Sequence, residues 1–179
     1  ALALLPFLPS LGGQFLDWDD NINFVTNHGF RGLGWAQLRW MATTTLMGHR
    51  IPFTWLTLGV NYVVGGMEPW GYHLGNVLLH GLNAVLVFLI MRRLLRRVVP
   101  DEARRGREPA ILVCAALGAA LWAVHPLRVE PVAWASGRIY CQALLFLLLS
   151  LLAYLRYVEA PRGTGARKGW YAASVLGLG

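Results

Sequence analysis

Long apolar runs separated by short polar segments dominate the chain. Three runs approach the roughly 20 residues that an α-helix needs to cross a bilayer: residues 70–91, 109–125 and 139–158. Two further apolar runs lie at the ends, at residues 1–9 and 170–179, and we interpret each as part of another span. Because both ends fall inside apolar runs, we expect the chain to be a piece of a longer protein.

The apolar run at residues 51–64 is shorter and carries the polar residues Thr54, Thr57 and Asn61. We predict an interfacial helix or a re-entrant segment here in place of a full crossing. The pattern as a whole therefore predicts an all-α membrane protein, a polytopic helical bundle with interfacial helices before its first complete span.

Arginine is concentrated in the segments that follow alternate spans. By the positive-inside rule, residues 92–108 and 157–169 are expected on the cytoplasmic side. This leaves residues 10–69 and 125–138 as the outer loops. An interfacial interpretation of residues 51–64 keeps the alternation of sides consistent, whereas a full span there would break it.

Composition supports a membrane protein over a soluble one. Hydrophobic residues make up 56% of the chain and charged residues 14%, against about 25% charged residues in soluble domains. The net charge of +7 could indicate nucleic-acid binding, but the arginines flank apolar runs and form no polar basic face. We therefore expect the lipid bilayer, and no nucleic acid, as a partner.

Three carboxylates are crowded into the first outer loop, directly after the first apolar run. Asp17, Asp19 and Asp20 lie within FLDWDDNINFVTNHGF. Crowded carboxylates near a membrane surface suit a general base or a metal ligand. The alternative is a solvated helix cap or Asx turn.

The second outer loop, HPLRVEPVAWASGR, concentrates polar side chains in a short turn: His125, Arg128, Glu130 and Arg138. Arginine is the preferred donor to phosphate because its planar fork makes two parallel hydrogen bonds. These residues could hold a lipid phosphate and its sugar. The alternative is snorkelling at the interface combined with a local salt bridge.

Four polar residues share one face of the span that starts near residue 70. His73, Asn76, His80 and Asn83 are spaced three, four and three apart. In hydrocarbon, such groups must face protein or water. We expect interhelical hydrogen bonds for Asn76, His80 and Asn83, whereas His73 lies near the outer end and could reach a site there. The P-loop, GxGxxG, HExxH and GxSxG signatures of soluble enzymes are absent from the sequence.

The order of several strings resembles the membrane part of the transmembrane-and-TPR O-mannosyltransferases and their bacterial relatives, of the GT-C class. The strings are DD…I…N, PFTWLTLGVNY, YHLGNVLLHGLNAVLVFL and AVHPLRVEPVAWASGR. The resemblance implies an enzyme that takes a sugar, mannose by default, from a polyprenyl-phosphate carrier. It also implies an active site on the outer face of a bacterial inner membrane or the lumenal face of the endoplasmic reticulum, with a TPR array after further spans.

Carried over by position, Asp19 and Asp20 match the catalytic acidic pair of this family. His125, Arg128 and Glu130 match the HPLRVE string of the family, and Arg138 matches the basic residue of its GRxD run; all four are expected to bind substrate. His73 is a further substrate-binding candidate because of its position near the outer end of its span. Tyr140 stands where the family has an acid. No metal ligand is assigned, and a divalent cation is left open as a cofactor.

The expected mechanism is direct displacement at the anomeric carbon, with inversion. Asp19 or Asp20 would take the proton of a protein or glycan hydroxyl, and Arg138, with Arg128, would stabilise the departing lipid phosphate. A non-catalytic membrane scaffold and a transporter are the alternatives. The transporter is disfavoured because the charges lie outside the spans or at their ends.

Overall fold

Helices provide nearly all the regular structure of the chain. The computed structural model describes residues 2–177, except for the side chains of residues 2, 3 and 101–105. Ala1 and residues 178–179, at the outer limits of the two predicted terminal spans, lie outside this description. Within the described residues there is no strand beyond an isolated bridge between Leu46 and His49.

Seven α-helices follow one another within residues 2–177: α1 Trp35–Thr43, α2 Pro52–Gly65, α3 Pro69–Val98, α4 Asp101–Ala123, α5 Val129–Ala133, α6 Arg138–Glu159 and α7 Gly165–Leu176. Short segments of 3₁₀ or π-helix lie before or between some of these α-helices. These are 3₁₀ helices at Leu2–Gly12, Pro126–Arg128 and Ala135–Gly137, and a π-helical turn at Asn21–Val25.

In the part of the chain that the structure describes, three helical stretches are long and apolar enough to cross a membrane: Pro69–Val98, Gly106–Ala123 and Ala135–Glu159. They contain the predicted spans 70–91 and 139–158 completely, and the predicted span 109–125 as far as Ala123. The expected all-α membrane bundle is therefore confirmed, and the protein is an integral membrane protein.

Helix α2 has the length that the sequence predicts for a short, non-spanning helix. Its 14 residues rise about 21 Å, less than the roughly 30 Å of a hydrocarbon core. Pro52 occupies the first turn, where its missing N–H costs nothing. The helix ends at Gly65 and is followed by Gly66, whose φ of 62° favours glycine.

The arginine-rich segments are more helical than the predicted loops suggest. Helix α3 continues to Val98 and α4 starts at Asp101, so the predicted loop 92–108 is helical apart from residues 99–100. Arg and Leu are good helix formers, and Pro100 interrupts the helix because it lacks an N–H. The predicted loop 157–169 shrinks in the same way to residues 160–164.

The first apolar run differs from the predicted α-helical end of a span, because it forms a 3₁₀ helix with Pro6 and Pro9 inside it. Each proline removes a backbone donor and clashes with the preceding turn of an α-helix. At the other end of the chain, α7 begins at Gly165, five residues before the predicted start of the last span at residue 170.

The chain divides into two compact units. Unit 1 comprises residues 1–4, 79–125 and 143–179, and unit 2 comprises residues 5–78 and 126–142. The core of unit 1 is aliphatic and includes Ile90, Leu148 and Leu155. The core of unit 2 is largely aromatic: Phe24, Phe30, Met41, Trp55, Leu58, Tyr72 and Ala135.

Helix α3 presents opposite chemistry on two faces. Its polar stripe, His73, Asn76, His80 and Asn83, is buried. An apolar stripe at similar helical spacing is exposed, at Leu78, Leu82, Val85 and Leu89. Polar residues that face protein and apolar residues left open are the arrangement expected in lipid.

The hydrogen bonds expected for the polar stripe are observed at Asn76 and His80. Asn76 Nδ2 donates to the carbonyl oxygen of Trp134 at 2.7 Å. His80 Nε2 lies 3.0 Å from the carbonyl oxygen of Ala123, and the His80 ring stacks on Trp122.

Replacing Gly137 by Ala should destabilise the turn that precedes α6. A Cβ at this position would lie 2.4 Å from the carbonyl oxygen of Pro131 and 2.8 Å from its carbon, so the backbone itself must move. Overpacking of this kind costs about 1–3 kcal/mol. The melting temperature of the purified protein should fall, whereas Gly12→Ala, with nothing within 4 Å of the added Cβ, should leave it unchanged. Equal melting temperatures for the two variants would contradict the prediction.

Candidate active site

The three carboxylates after the first apolar run occupy different environments. Asp17 is exposed and accepts a hydrogen bond from the Asn21 side chain. Asp19 is half-buried and lines a cavity of about 100 Å³. Asp20 is completely buried. In the sequence the three residues form one cluster. Of the three, only Asp19 is both partly exposed and part of the lining of a cavity.

Asp20 joins two segments of unit 2. One carboxylate oxygen accepts from the backbone N–H of Leu16 at 2.9 Å. The other accepts from the backbone N–H of Ser136 at 3.0 Å and from the Ser136 hydroxyl. The Asn23 side chain donates in turn to the same hydroxyl at 3.1 Å. Hydrogen bonds to an ionised acceptor are the strong ones, and both oxygens of Asp20 are engaged, so its carboxylate holds these segments together.

The cavity beside Asp19, here the Asp19 cavity, is lined by three segments of unit 2. These are Asp19, Asn23 and Phe24; Leu46, Met47, His49, Ile51, Thr54, Trp55 and Leu58; and Trp134, Ser136, Arg138, Ile139 and Tyr140. The first and third segments are those that Asp20 links. The cavity combines an apolar, aromatic wall with one carboxylate and one guanidinium, a composition typical of ligand sites.

Arg138 lies at the start of α6, buried among neutral acceptors. Its Nε donates to Asn76 Oδ1 at 2.5 Å, and its Nη2 donates to Asn61 Oδ1 at 2.9 Å and to the carbonyl oxygen of Tyr72 at 2.8 Å. Nη1 makes a longer contact of 3.4 Å with Thr57 Oγ1. Within the described residues no carboxylate forms an ion pair with Arg138. The guanidinium is therefore a well-positioned buried charge without a counter-ion.

Helix α3 makes room for this guanidinium at Gly75. A Cβ there would lie 2.2 Å from Arg138 Nη2, closer than non-bonded atoms approach. The position of Arg138 therefore depends on the absence of a side chain one helical turn after Tyr72, as well as on its hydrogen bonds.

The structure does not bring the other predicted binding residues into the Asp19 cavity. Glu130 is exposed and Arg128 is half-buried, and neither lines the cavity. His125 belongs to unit 1 and is exposed. His73 is buried beside Gly13, where a Cβ would lie 3.1 Å from its Nε2, and it does not line the cavity either. Their roles in substrate binding stay predictions.

Several residues of the site were not predicted from the sequence. Asn61, Tyr72 and Thr57 surround the guanidinium, and Ser136 mediates the contact with Asp20. The only signal for two of them was the presence of Thr57 and Asn61 within an otherwise apolar run. Among the described side chains, no group of three His, Cys, Asp or Glu residues could hold a metal ion.

Comparison with known proteins assigns relatives along nearly the whole chain. This chain is 32% identical to mouse protein O-mannosyl-transferase TMTC4 over 183 residues, which is 97% of this chain and 24% of the relative. It is 32% identical to human protein O-mannosyl-transferase TMTC2 over 192 residues, 100% of this chain and 21% of the relative. The chain is homologous to the TMTC protein O-mannosyl-transferases.

A fruit-fly relative, protein O-mannosyl-transferase Tmtc1, is 39% identical over 107 residues, which is 60% of this chain and 11% of the relative. The chain spans about a quarter of the length of the TMTC4 and TMTC2 relatives that it matches. No family model matches it, and no solved structure matches it. The resemblance seen in the sequence motifs is thus confirmed by relatives that cover the whole chain.

Proposed function

We propose that the full-length protein is a glycosyltransferase of the GT-C class that moves a sugar from a polyprenyl-phosphate carrier to a hydroxyl of a protein or glycan. The relatives are named protein O-mannosyl-transferases, which makes mannose the expected sugar. The observation that carries the proposal is the Asp19 cavity, in which a half-buried carboxylate and a buried guanidinium without a counter-ion line the same space.

Asp19 is proposed as the general base. The acceptor oxygen attacks the anomeric carbon while the bond from that carbon to the phosphate oxygen breaks, and the phosphate leaves with the bonding electrons. The acceptor proton passes to the Asp19 carboxylate. Attack and departure on opposite faces invert the anomeric centre. Asp20 is unsuited to this role because donors already occupy both of its oxygens.

Arg138 is proposed to stabilise the departing phosphate. A cation at the N-terminal end of a helix is disfavoured by the helix dipole, and a buried charge without a counter-ion is costly. Both costs fall when an anion enters the Asp19 cavity. Nη1 makes only the long contact with Thr57, which leaves it the best placed of the guanidinium nitrogens to reach a ligand.

The proposed reaction takes place on the outer or lumenal face of the membrane. The support is the concentration of arginine in residues 92–108 and 157–169, from which the positive-inside rule predicts that residues 10–69 and 125–138 lie on the opposite side. Asp19 and Arg138 both fall on that side or at its boundary.

The topology predicts the labelling of two single cysteines. In full-length protein with Cys114 and Cys141 changed to Ser, a cysteine at Gly12 should react with a membrane-impermeant thiol reagent in sealed, outside-out vesicles. A cysteine at Gly106 should react only after the vesicles are opened. Both glycines are exposed, with nothing within 4 Å of a Cβ. The reverse pattern would move the Asp19 cavity to the cytoplasmic side and overturn the proposed face.

A non-catalytic scaffold is the second candidate, and one observation favours it: three hydrogen bonds at 2.9 Å or less already hold the Arg138 guanidinium. A measurement of sugar transfer distinguishes the scaffold from the glycosyltransferase. Purified full-length protein, supplied with mannosyl-phosphoryl-polyprenol and an acceptor peptide, should produce a mannosylated peptide with inverted anomeric configuration. Absence of product for every sugar donor and acceptor tested would favour the scaffold.

A further inference from the structure

Unit 1 contains a larger cavity of about 630 Å³, formed by the C-terminal parts of α3 and α6. Its charged lining consists of Arg92, Arg93, Arg96, Arg97, Arg156 and Glu159. We call it the arginine cavity. The proposed transfer reaction uses none of these residues, so the cavity needs an explanation of its own.

Two glutamates only partly neutralise these arginines. Glu159 pairs with Arg93 and with Arg97, the latter at 3.0 Å. Glu108 pairs with Arg92 at 2.7 Å and Arg96 at 3.4 Å. Each carboxylate therefore holds two guanidinium groups but balances only one.

Arg156 adds a further positive charge. It stacks over the Trp170 ring, with 4.8 Å between its guanidinium carbon and the ring centroid, and it forms no ion pair within the described side chains. Among the described side chains, these five arginines and two glutamates leave a net charge of three positive charges around one cavity.

Helix dipoles and the positive-inside rule explain why arginines lie at these helix ends. They do not require that the arginines surround a cavity, share two carboxylates and remain partly buried. The paired arginines expose between 29% and 45% of their side chains. Convergent, partly desolvated guanidinium groups with surplus charge favour a phosphate, which accepts several charge-assisted hydrogen bonds.

The wall of the cavity points to a phosphate that carries acyl chains. Leu89 and Leu152 line the cavity beside the arginines. Leu89 is also the last member of an exposed apolar stripe on α3 that includes Leu82 and Val85. A phosphate in the cavity would therefore have a continuous apolar surface beside it, along which hydrocarbon chains can lie.

We propose that the arginine cavity binds the phosphate of an anionic membrane phospholipid, with its acyl chains packed along the Leu82–Leu89 stripe. The basic groups sit at the end of two membrane-crossing helices, where anionic head groups concentrate. This site is independent of the proposed glycosyltransferase reaction.

The test compares lipid binding to purified, delipidated full-length protein by native mass spectrometry. Phosphatidylglycerol should bind at least ten-fold more tightly than phosphatidylcholine with the same acyl chains. Arg156→Gln should weaken phosphatidylglycerol binding about five-fold, the effect of one basic residue near a membrane surface. Arg162→Gln is the matched control, since Arg162 is exposed in the loop that follows α6 and does not line the cavity.

A second variant changes binding in the opposite direction. Glu159→Gln frees Arg93 and Arg97 from their shared carboxylate and should tighten phosphatidylglycerol binding several-fold, which keeps the proposal testable if Arg156→Gln fails to fold. Three results would overturn it: equal binding of the two lipids, equal losses in Arg156→Gln and Arg162→Gln, or binding of soluble glycerol 3-phosphate as tight as that of phosphatidylglycerol. The last would identify a soluble anion as the ligand.

Discussion

Asp19→Asn should leave the fold intact and lower the rate of sugar transfer by about 10²–10⁴-fold, the usual contribution of a positioned general base. The two side chains are nearly isosteric, but an amide cannot take the proton of the acceptor hydroxyl. Asp19 is half-buried and lines the cavity, so the substitution needs no rearrangement of the core. The measurement is the initial rate of transfer from mannosyl-phosphoryl-polyprenol by full-length variants at matched amounts of folded protein.

Two neighbouring carboxylates serve as controls for Asp19. Asp17→Asn should keep the wild-type rate, because Asp17 is exposed and does not line the cavity. Asp20→Asn should lower the melting temperature, because its amide group cannot accept from the N–H groups of both Leu16 and Ser136. A buried donor left unsatisfied costs about 1–3 kcal/mol. Wild-type turnover in Asp19→Asn would show that the acidic segment has a structural role only.

The spanning helices could be predicted from the sequence because the interactions that form them lie within one segment of the chain. Twenty apolar residues in lipid must satisfy their own backbone hydrogen bonds, which only a helix does within one segment. The extents of the helices were less predictable. Hydropathy marks where the apolar part stops, whereas the helix at residues 92–98 continues because nothing before Pro100 interrupts its backbone.

The sequence was sufficient to predict which types of residue form the candidate site, but not which role each of them has. Asp19 and Asp20 are adjacent and chemically identical in sequence. Which of them faces the cavity depends on Ser136, more than a hundred residues later. The surroundings of Arg138 depend likewise on Asn61 and Tyr72, which reach it only after α2, α3 and α6 have packed together. Spacing along one helix could predict the burial of Asn76, but not that it would accept from Arg138.

Arg138→Lys should lower the rate of transfer by about ten- to a hundredfold, and Arg138→Ala by more. Lysine keeps the charge but cannot reproduce a fork that donates to Asn76, Asn61 and Tyr72 in different directions. Loss of one charge-assisted contact costs about 1.5–3 kcal/mol, which corresponds to this range of rates. Arg107→Ala is the control, because Arg107 is exposed on a different helix, α4.

A loss of rate in Arg138→Ala would follow equally from a collapsed site, so the charge itself requires a separate test. Asn61→Asp places a carboxylate against Nη2, now 2.9 Å from Asn61 Oδ1, and neutralises the guanidinium while leaving it anchored. Asn61→Ala removes both hydrogen bonds of this side chain, the one from Arg138 and the one to the Gly71 carbonyl oxygen, without adding charge. Asn61→Asp loses only the second, because a carboxylate cannot donate. If Arg138 stabilises a departing phosphate, Asn61→Asp should transfer sugar at least ten-fold more slowly than Asn61→Ala at equal melting temperature. If Arg138 serves only to hold α2, α3 and α6 together, Asn61→Asp should be the more active of the two.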